Sequence, residues 1–310
     1  MKPHISVVIC TYNRAESLVQ TFQSLAAMVV PQDIAWELIL VDNNSKDSTR
    51  QAVADFSATG KLPLKYIFES RPGLSFARNA GIANSQAEII AFTDDDVIVE
   101  PDWLSKLLVA FSKSDCMALG GRIFPIWPGP KPAWFRENGP YATPKAIVYL
   151  DLGEEICVAD SPLCGANMAF RKAAFLKYGD FRVDLGRVAA SLMGGEDIEF
   201  FERLKKAREK LLYVPDVIVH HPVTKDRMEK EYFEKWCFNG ARTAVRFEGL
   251  PKHVVSYFGL PRYYFRSLLE NVVRWFLTFD EGKRFYYKLQ VCILLGRIAE
   301  TWQMSRGRTA

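Results

Sequence analysis

The 310-residue chain lacks most of the features that would assign a protein to a class at once. Its six cysteines (Cys10, Cys116, Cys157, Cys164, Cys237 and Cys292) form no Cys-x-x-Cys pair and no close spacing. That argues against a disulfide framework and for a reducing compartment. No apolar run approaches the roughly 20 residues needed to cross a bilayer. The opening MKPHISVVICTYNR enters a strand-like run without the apolar core and cleavage site of a secretory leader. The expected location is therefore cytoplasmic, soluble or peripheral at the inner face of the membrane. Repeats and low-complexity tails are missing too, and with 49% hydrophobic and 25% charged residues the composition is that of an ordinary globular protein.

Charge is scarce in net terms, +4, but unevenly spread. From Pro222 onward there are 16 Lys/Arg against 9 Asp/Glu, a balance of +7, which leaves the first 221 residues at −3. Such a basic tail suits a phospholipid surface or a polyphosphate carrier better than nucleic acid, or else forms a solvated helical face.

The first 120 residues alternate continuous Val/Ile/Leu runs (ISVVICT, WELILVDN, LKYIFES, IIAFTDD) with helix-like segments (AESLVQTFQSLAAM, SFARNAGIANSQ, PDWLSKLLVAFSK). Strands without alternation are covered on both faces, and helical crossovers between them predict an α/β fold with a mostly parallel sheet. Residues 125 to 145, with six prolines and two glycines, read as a loop. Its Trp127, Trp134 and Phe135 either stack on a ligand or pin the loop by burial. A helix starting near Glu196 is expected to set Ile198, Phe201, Leu204 and Leu211 near one face. From Met228 the chain reads as a helical appendage, so the expected division is 1–224 and 225–310, the first splitting near residue 120.

In parallel sheets ligands bind beyond the carboxyl ends of the strands. Polar residues collect there: Thr11, Tyr12, Asn13 and Arg14 after ISVVI, Asp42, Asn43 and Asn44 after LILV, and Asp94, Asp95 and Asp96 after IIAFT. Three adjacent carboxylates repel one another and lose solvation when half buried, so the arrangement calls for a cation. Alternation along an extended segment turns Asp94 and Asp96 to one side and Asp95 to the other. Paired carboxylates suit Mg²⁺ or Mn²⁺, which complete their shell with phosphate oxygens and water.

Six ordered motifs, SVVICTYNR, LVDNNSKDST, RPGLSFARNAGI, FTDDDV, CGANMAFRK and GGEDIEF, resemble the glycosyltransferases of family 2 over about residues 4 to 221. The resemblance implies a GT-A fold, Rossmann-like, flanked by helices. It also implies metal-assisted, inverting transfer of a sugar from a nucleotide-diphosphate donor, by default a UDP-sugar, to a glycan or lipid-linked acceptor. Carried over residue by residue, Asp94 would touch the ribose, Asp96 hold the metal and Asp42 contact the base. Thr11 and Arg71 would line the nucleotide, and Arg78 would help Arg71 stabilise the diphosphate. Asp197 would be the catalytic base and Glu196 would adjoin the acceptor, with Gly165 and Asn167 close to its sugar. His220 and His221 end a strand-like run, and one of them, by preference His221, would add a metal ligand.

A sugar-phosphate nucleotidyltransferase would share the sheet and an acidic metal site, but CTYNRAES lacks the glycine-rich loop expected there. A catalytically silent sugar-nucleotide-binding or scaffolding protein would keep the fold without needing Asp96 and Asp197.

Overall fold

A computed structural model describes residues 2–188, 192–251 and 254–307. In chain order the elements are β1 (Ile5–Thr11), α1 (Ala15–Ala26), β2 (Trp36–Asp42), α2 (Thr49–Ser57), β3 (Leu64–Phe68), α3 (Leu74–Asn84), β4 (Ile89–Asp94), β5 (Ile98–Val99), α4 (Trp103–Lys113) and β6 (Ala118–Ile126). There follow β7 (Cys157–Val158), β8 (Met168–Arg171), α5 (Lys172–Tyr178), α6 (Glu196–Lys206), β9 (Leu211–Pro222), α7 (Lys230–Glu248), β10 (Ser256–Tyr257), β11 (Leu260–Pro261), α8 (Arg262–Leu277) and α9 (Glu281–Arg306). All six cysteines are free.

The chain divides into two compact units. The first comprises Met1–Ile126, Val148–Ala189 and Glu196–Pro222; the second comprises Trp127–Ile147, Ala190–Gly195 and Val223–Ala310. The expected single cut after residue 224 is thus corrected, because the proline-rich segment belongs with the helices. Its Trp134 meets Phe233 and Phe285 edge-on at centroid distances of 5.1 and 4.7 Å, while Trp127 packs on Phe135 at 5.2 Å. Of the two readings of these aromatics, burial within the helical unit is the one observed. In that unit α7 also joins α9 through the buried Glu300, which accepts from Arg242 Nε at 2.8 Å and Arg246 Nε at 2.5 Å.

The first unit is built on a sheet of order β3-β2-β1-β4-β8-β6-β9-β5, with β7 on β9. Strands β3, β2, β1 and β4 are parallel, and β8 enters antiparallel between β4 and β6. Alternate residues of the buried strands feed two cores. Ile5, Val7 and Ile9 face the layer of α1 and α4, with Phe22, Trp103 and Leu107. Val8, Ile39 and Val41 face the opposite layer, where Phe92, Phe170, Phe175, Phe181 and Phe200 form an aromatic cluster. On α6 the buried side is Glu196, Phe200, Phe201 and Leu204. Ile198 is exposed and Leu211 has passed into β9, because acidic residues in the first turn hide the true helical face.

The chain runs from β1 outward through β2 to β3, then returns to place β4 on the other side of β1. This reversal opens a crevice at the strand ends. Thr11 lies in register with Asp42, and Cys10 with Asp94. At two inter-strand spacings, Asp42 and Asp94 flank the end of β1 about 10 Å apart.

Further along the sheet, β6 and β9 meet so closely at a bulge that a Cβ on Gly121 would sit 1.9 Å from the Val217 carbonyl oxygen. Gly121→Ala must therefore force backbone apart in a packed interior. We expect it to destabilise the protein by about 1–3 kcal/mol or more, read as a lower urea midpoint.

Candidate active site

The loops after β1 and β2 are stitched to each other. Asn13, at φ 52°, accepts from the Lys46 backbone N–H at 2.7 Å, and its own N–H donates to Ser45 Oγ at 2.9 Å. Asn44, at φ 67°, accepts from Lys46 Nζ at 2.7 Å. Asparagine tolerates this left-handed backbone better than most residues. Buried Asp42 accepts from the Ser45 N–H at 2.9 Å and from the Tyr66 hydroxyl at 2.8 Å. Burial, with this bond to Asp42 second, pushes the Tyr66 phenol up to about 12. Tyr66 gave no sign of this in the sequence, where it is one aromatic in a strand. Arg71 pairs with Glu69 (Nη2 to Oε2, 2.8 Å) and lies over the Phe76 ring at 4.6 Å. Buried Asn43 ties this loop down, donating to the Arg71 carbonyl and accepting from the Gly73 N–H, both at 2.7 Å. Thr11 is buried, whereas Tyr12 is exposed.

The aspartates divide as alternation requires. Asp94, Asp96 and His221 offer ligand atoms that all lie within 4.8 Å of one another. His221 Nε2 is 3.4 Å from Asp96 Oδ1. His220 turns the other way, to Glu100 at 2.6 Å, so the two histidines part because adjacent residues of β9 face opposite sides. Asp95 sinks inward near Arg14, whose Nε is 4.0 Å away. Burial first, then repulsion from Asp96, pushes its carboxyl up to about 7. Arg14 also donates from Nη1 to Asp96 Oδ2 at 2.5 Å. The donor set of two carboxylates and one imidazole fits a divalent ion such as Mn²⁺.

Arg78 lies behind this cluster. Expected at the diphosphate, it is instead buried, donating to Glu196 Oε1 with Nη2 3.9 Å from Asp94 Oδ1. Burial opposes its charge, but Glu196, Asp197 and Asp94 overcome that, so its pKa is raised. Burial raises the Glu196 pKa as well, with Arg78 pulling it back. Glu196 is thus a buried counter-ion and does not face the acceptor, a correction that follows from helix α6 turning its first residue into the core.

Asp197, one residue on, is only half-buried and accepts from the backbone N–H groups of Gly165 at 3.1 Å and Ile198 at 2.9 Å. Gly165 leaves room here for Arg78, whose Nη2 a Cβ would meet at 2.1 Å and displace. Its place is thus beside Arg78 and Asp197 rather than on open acceptor surface. Asn167 needs a fuller correction: wholly buried, it accepts from Trp103 Nε1 and donates to the carbonyls of Arg122 and Val217, each at 2.9 Å. Its polar side chain bonds the scaffold and is not available to a sugar.

The model for glycosyl transferase family 2 matches residues 6–179. The chain belongs to glycosyl transferase family 2. The succinoglycan biosynthesis protein ExoM of Rhizobium meliloti is 30% identical over 243 residues, 78% of this chain and 74% of that protein. The glucosyl-dolichyl phosphate glucuronosyltransferase of Haloferax volcanii is 26% identical over 235 residues, 74% of this chain and 72% of that one. Among solved structures, the mannosyltransferase PcManGT from Pyrobaculum calidifontis, in complex with GDP-Man and Mn²⁺, superposes with a TM-score of 0.58 at 17% identity, covering 99% of this chain and 76% of that one. GalNAc-T7 with UDP, GalNAc and Mn²⁺ gives 0.60 at 17% identity over 96% and 56%. The fold is GT-A and the family 2 protein is a glycosyltransferase enzyme.

Arg78→Met would strand Glu196 in a dry site, at an expected cost of about 3–5 kcal/mol. Arg71→Met, at a largely exposed side chain, should leave the urea midpoint nearly unchanged. Urea unfolding of both variants measures the contrast.

Proposed function

We propose that this family 2 enzyme transfers a sugar, with inversion, from a nucleotide-diphosphate donor to a hydroxyl of a growing glycan or a lipid-linked acceptor. The observation that carries the reading is one continuous set of contacts at the strand ends. It joins Asp94, Asp96 and His221 through Arg78 to Glu196, and through Gly165 to Asp197. Assembly of a polysaccharide is supported by the similarity to the Rhizobium succinoglycan biosynthesis protein, and a lipid-linked acceptor by that to the Haloferax glucosyl-dolichyl phosphate glucuronosyltransferase.

Asp94, Asp96 and His221 would hold a divalent ion, Mn²⁺ or Mg²⁺. When bound, the ion supplies positive charge against the departing diphosphate. The chain's own residues account for the rest. The crevice at the end of β1, flanked by β2 and β4, receives the nucleoside, with Asp42 held in one orientation by Tyr66 and Ser45. Arg14 and Arg71 stand at its two sides as exposed or half-exposed cations suited to phosphate oxygens. Asp197 takes the acceptor's hydroxyl proton. Its two backbone hydrogen bonds aim the carboxylate, and its place in the first turn of α6 favours the negative charge it carries before the proton moves. As that oxygen bonds to the anomeric carbon, the bond from this carbon to the phosphate oxygen breaks, and the nucleoside diphosphate leaves with the electron pair.

The test has two parts. UDP-, GDP- and dTDP-sugars with Mn²⁺ are screened by thermal shift, where a ligand of the folded state raises the melting temperature; the UDP-sugar is expected to do so. Donor turnover is then measured in two variants. Asp197→Asn should keep the thermal shift and lose about 10²–10⁴-fold in turnover, whereas Asp96→Asn should lose the Mn²⁺-dependent part of the shift together with activity. Full turnover in Asp197→Asn removes it as the base.

A further inference from the structure

Helix α8 is apolar on two opposite sides. Its inner side, with Tyr264 at the centre, packs against α9. Its outer side carries Phe265, Leu269, Val273 and Phe276, spaced four, four and three residues apart and therefore aligned in one ridge along about 16 Å of helix. This ridge is open to solvent: Leu269 and Phe276 are each 66% exposed and the adjoining Leu277 is 71% exposed. The connections at both ends of α8 carry exposed aromatics as well. Phe258, in the β10–β11 turn just before α8, is 88% exposed, and Phe279, two residues beyond its end, is 100% exposed. A helix of a water-soluble protein normally turns polar residues outward, so an apolar ridge on its solvent side marks a helix with a second apolar neighbour.

We propose that this ridge is a docking surface for an anionic lipid bilayer, with α8 lying in the interface plane. Three observations select this occupant. The charged residues of α8 are Arg262, Arg266 and Arg274 against the single Glu270; at the start of α9 Asp280 and Glu281, paired with Arg136 at 2.6 Å and Lys230 at 2.7 Å, precede Lys283 and Arg284. Glu270 is engaged by Arg266 at 2.8 Å, so the outward charge that remains is positive. A second copy would bring the same positive rim against itself, whereas anionic headgroups complement it. Phe258 and Phe279 stand out from turns rather than filling a recess, which suits insertion among acyl chains better than a shaped protein partner. Finally, no helix among the described residues is long and apolar enough to cross a membrane, so the contact is with its surface.

Cosedimentation of the full chain with vesicles tests this. Phosphatidylcholine mixed with phosphatidylglycerol should pull down the wild type, and phosphatidylcholine alone should do so far less. Phe279→Ser, at a side chain with nothing to lose in the fold, and the double variant Leu269→Ser with Phe276→Ser should each weaken vesicle binding about tenfold or more. Both should keep the wild-type melting temperature. Arg262→Gln combined with Arg266→Gln should erase the preference for anionic vesicles. The proposal is overturned if the wild type stays in the supernatant with both vesicle types, or if the ridge variants bind as well as the wild type. A dimer in sedimentation velocity that Phe276→Ser dissociates, without vesicle binding, would also overturn it and assign the ridge to a second copy. None of these outcomes depends on the sugar donor or on Asp197.

Discussion

The crowding of carboxylates at the ends of buried strands constrains the rest of this protein. Asp94, Asp95, Asp96, Glu196 and Asp197 are brought together where solvent is largely excluded, and repulsion in such a place is far stronger than in water. Two arginines answer it in the folded chain. Arg14 spans Asp95 and Asp96 from the loop after β1, and Arg78 spans Asp94 and Glu196 from within α3. Burial, then repulsion from Asp96, still pushes the Asp95 carboxyl up to about 7, and burial raises Glu196 as well despite Arg78. Of the groups with chemistry to do, Asp94 and Asp197 are half-buried and Asp96 and His221 are buried, and each has a neighbour that fixes its direction.

That direction comes from the scaffold. The bulge where β6 meets β9 aligns β9 so that His221 reaches Asp96 while His220 reaches Glu100. Asn167, hidden between β6, β9 and Trp103, fastens the segment whose neighbour Gly165 supports Asp197. The chain therefore uses buried polar residues as internal fittings, and each such group is fully hydrogen-bonded where Asn43 and Asn167 are concerned.

How much of this was legible depended on the kind of question asked. The parallel half of the sheet and its reactive ends were readable because ISVVICT, WELILVD and IIAFTD are strands covered on both sides, and polar residues clustered after them stand out. Alternation also sorted Asp95 from its neighbours and His221 from His220. Orientation around helices was not readable in the same way. Glu196 and Asp197 are adjacent acids at a helix start, and only the packing of Phe200 and Phe201 decides which turns inward. Asn167 sits in a motif that suggests a ligand contact, yet its partners come from Trp103, Arg122 and Val217, distances along the chain that no local pattern encodes. Tyr66 and Glu69 were missed because their roles arise from partners across a strand or a turn.

The return of the proline-rich segment to the helical unit has a consequence for how the chain can be altered. Residues 127–147 leave the sheet, contribute Trp134 and Ile147 to a core completed by Phe233, Phe285 and Leu289, and then re-enter. Stopping translation after β9 would leave Trp134 without its aromatic companions while the sheet itself was intact. The helices are accordingly not a detachable cassette, and a hybrid enzyme made by exchanging C-terminal segments between relatives would have to exchange this internal excursion with them.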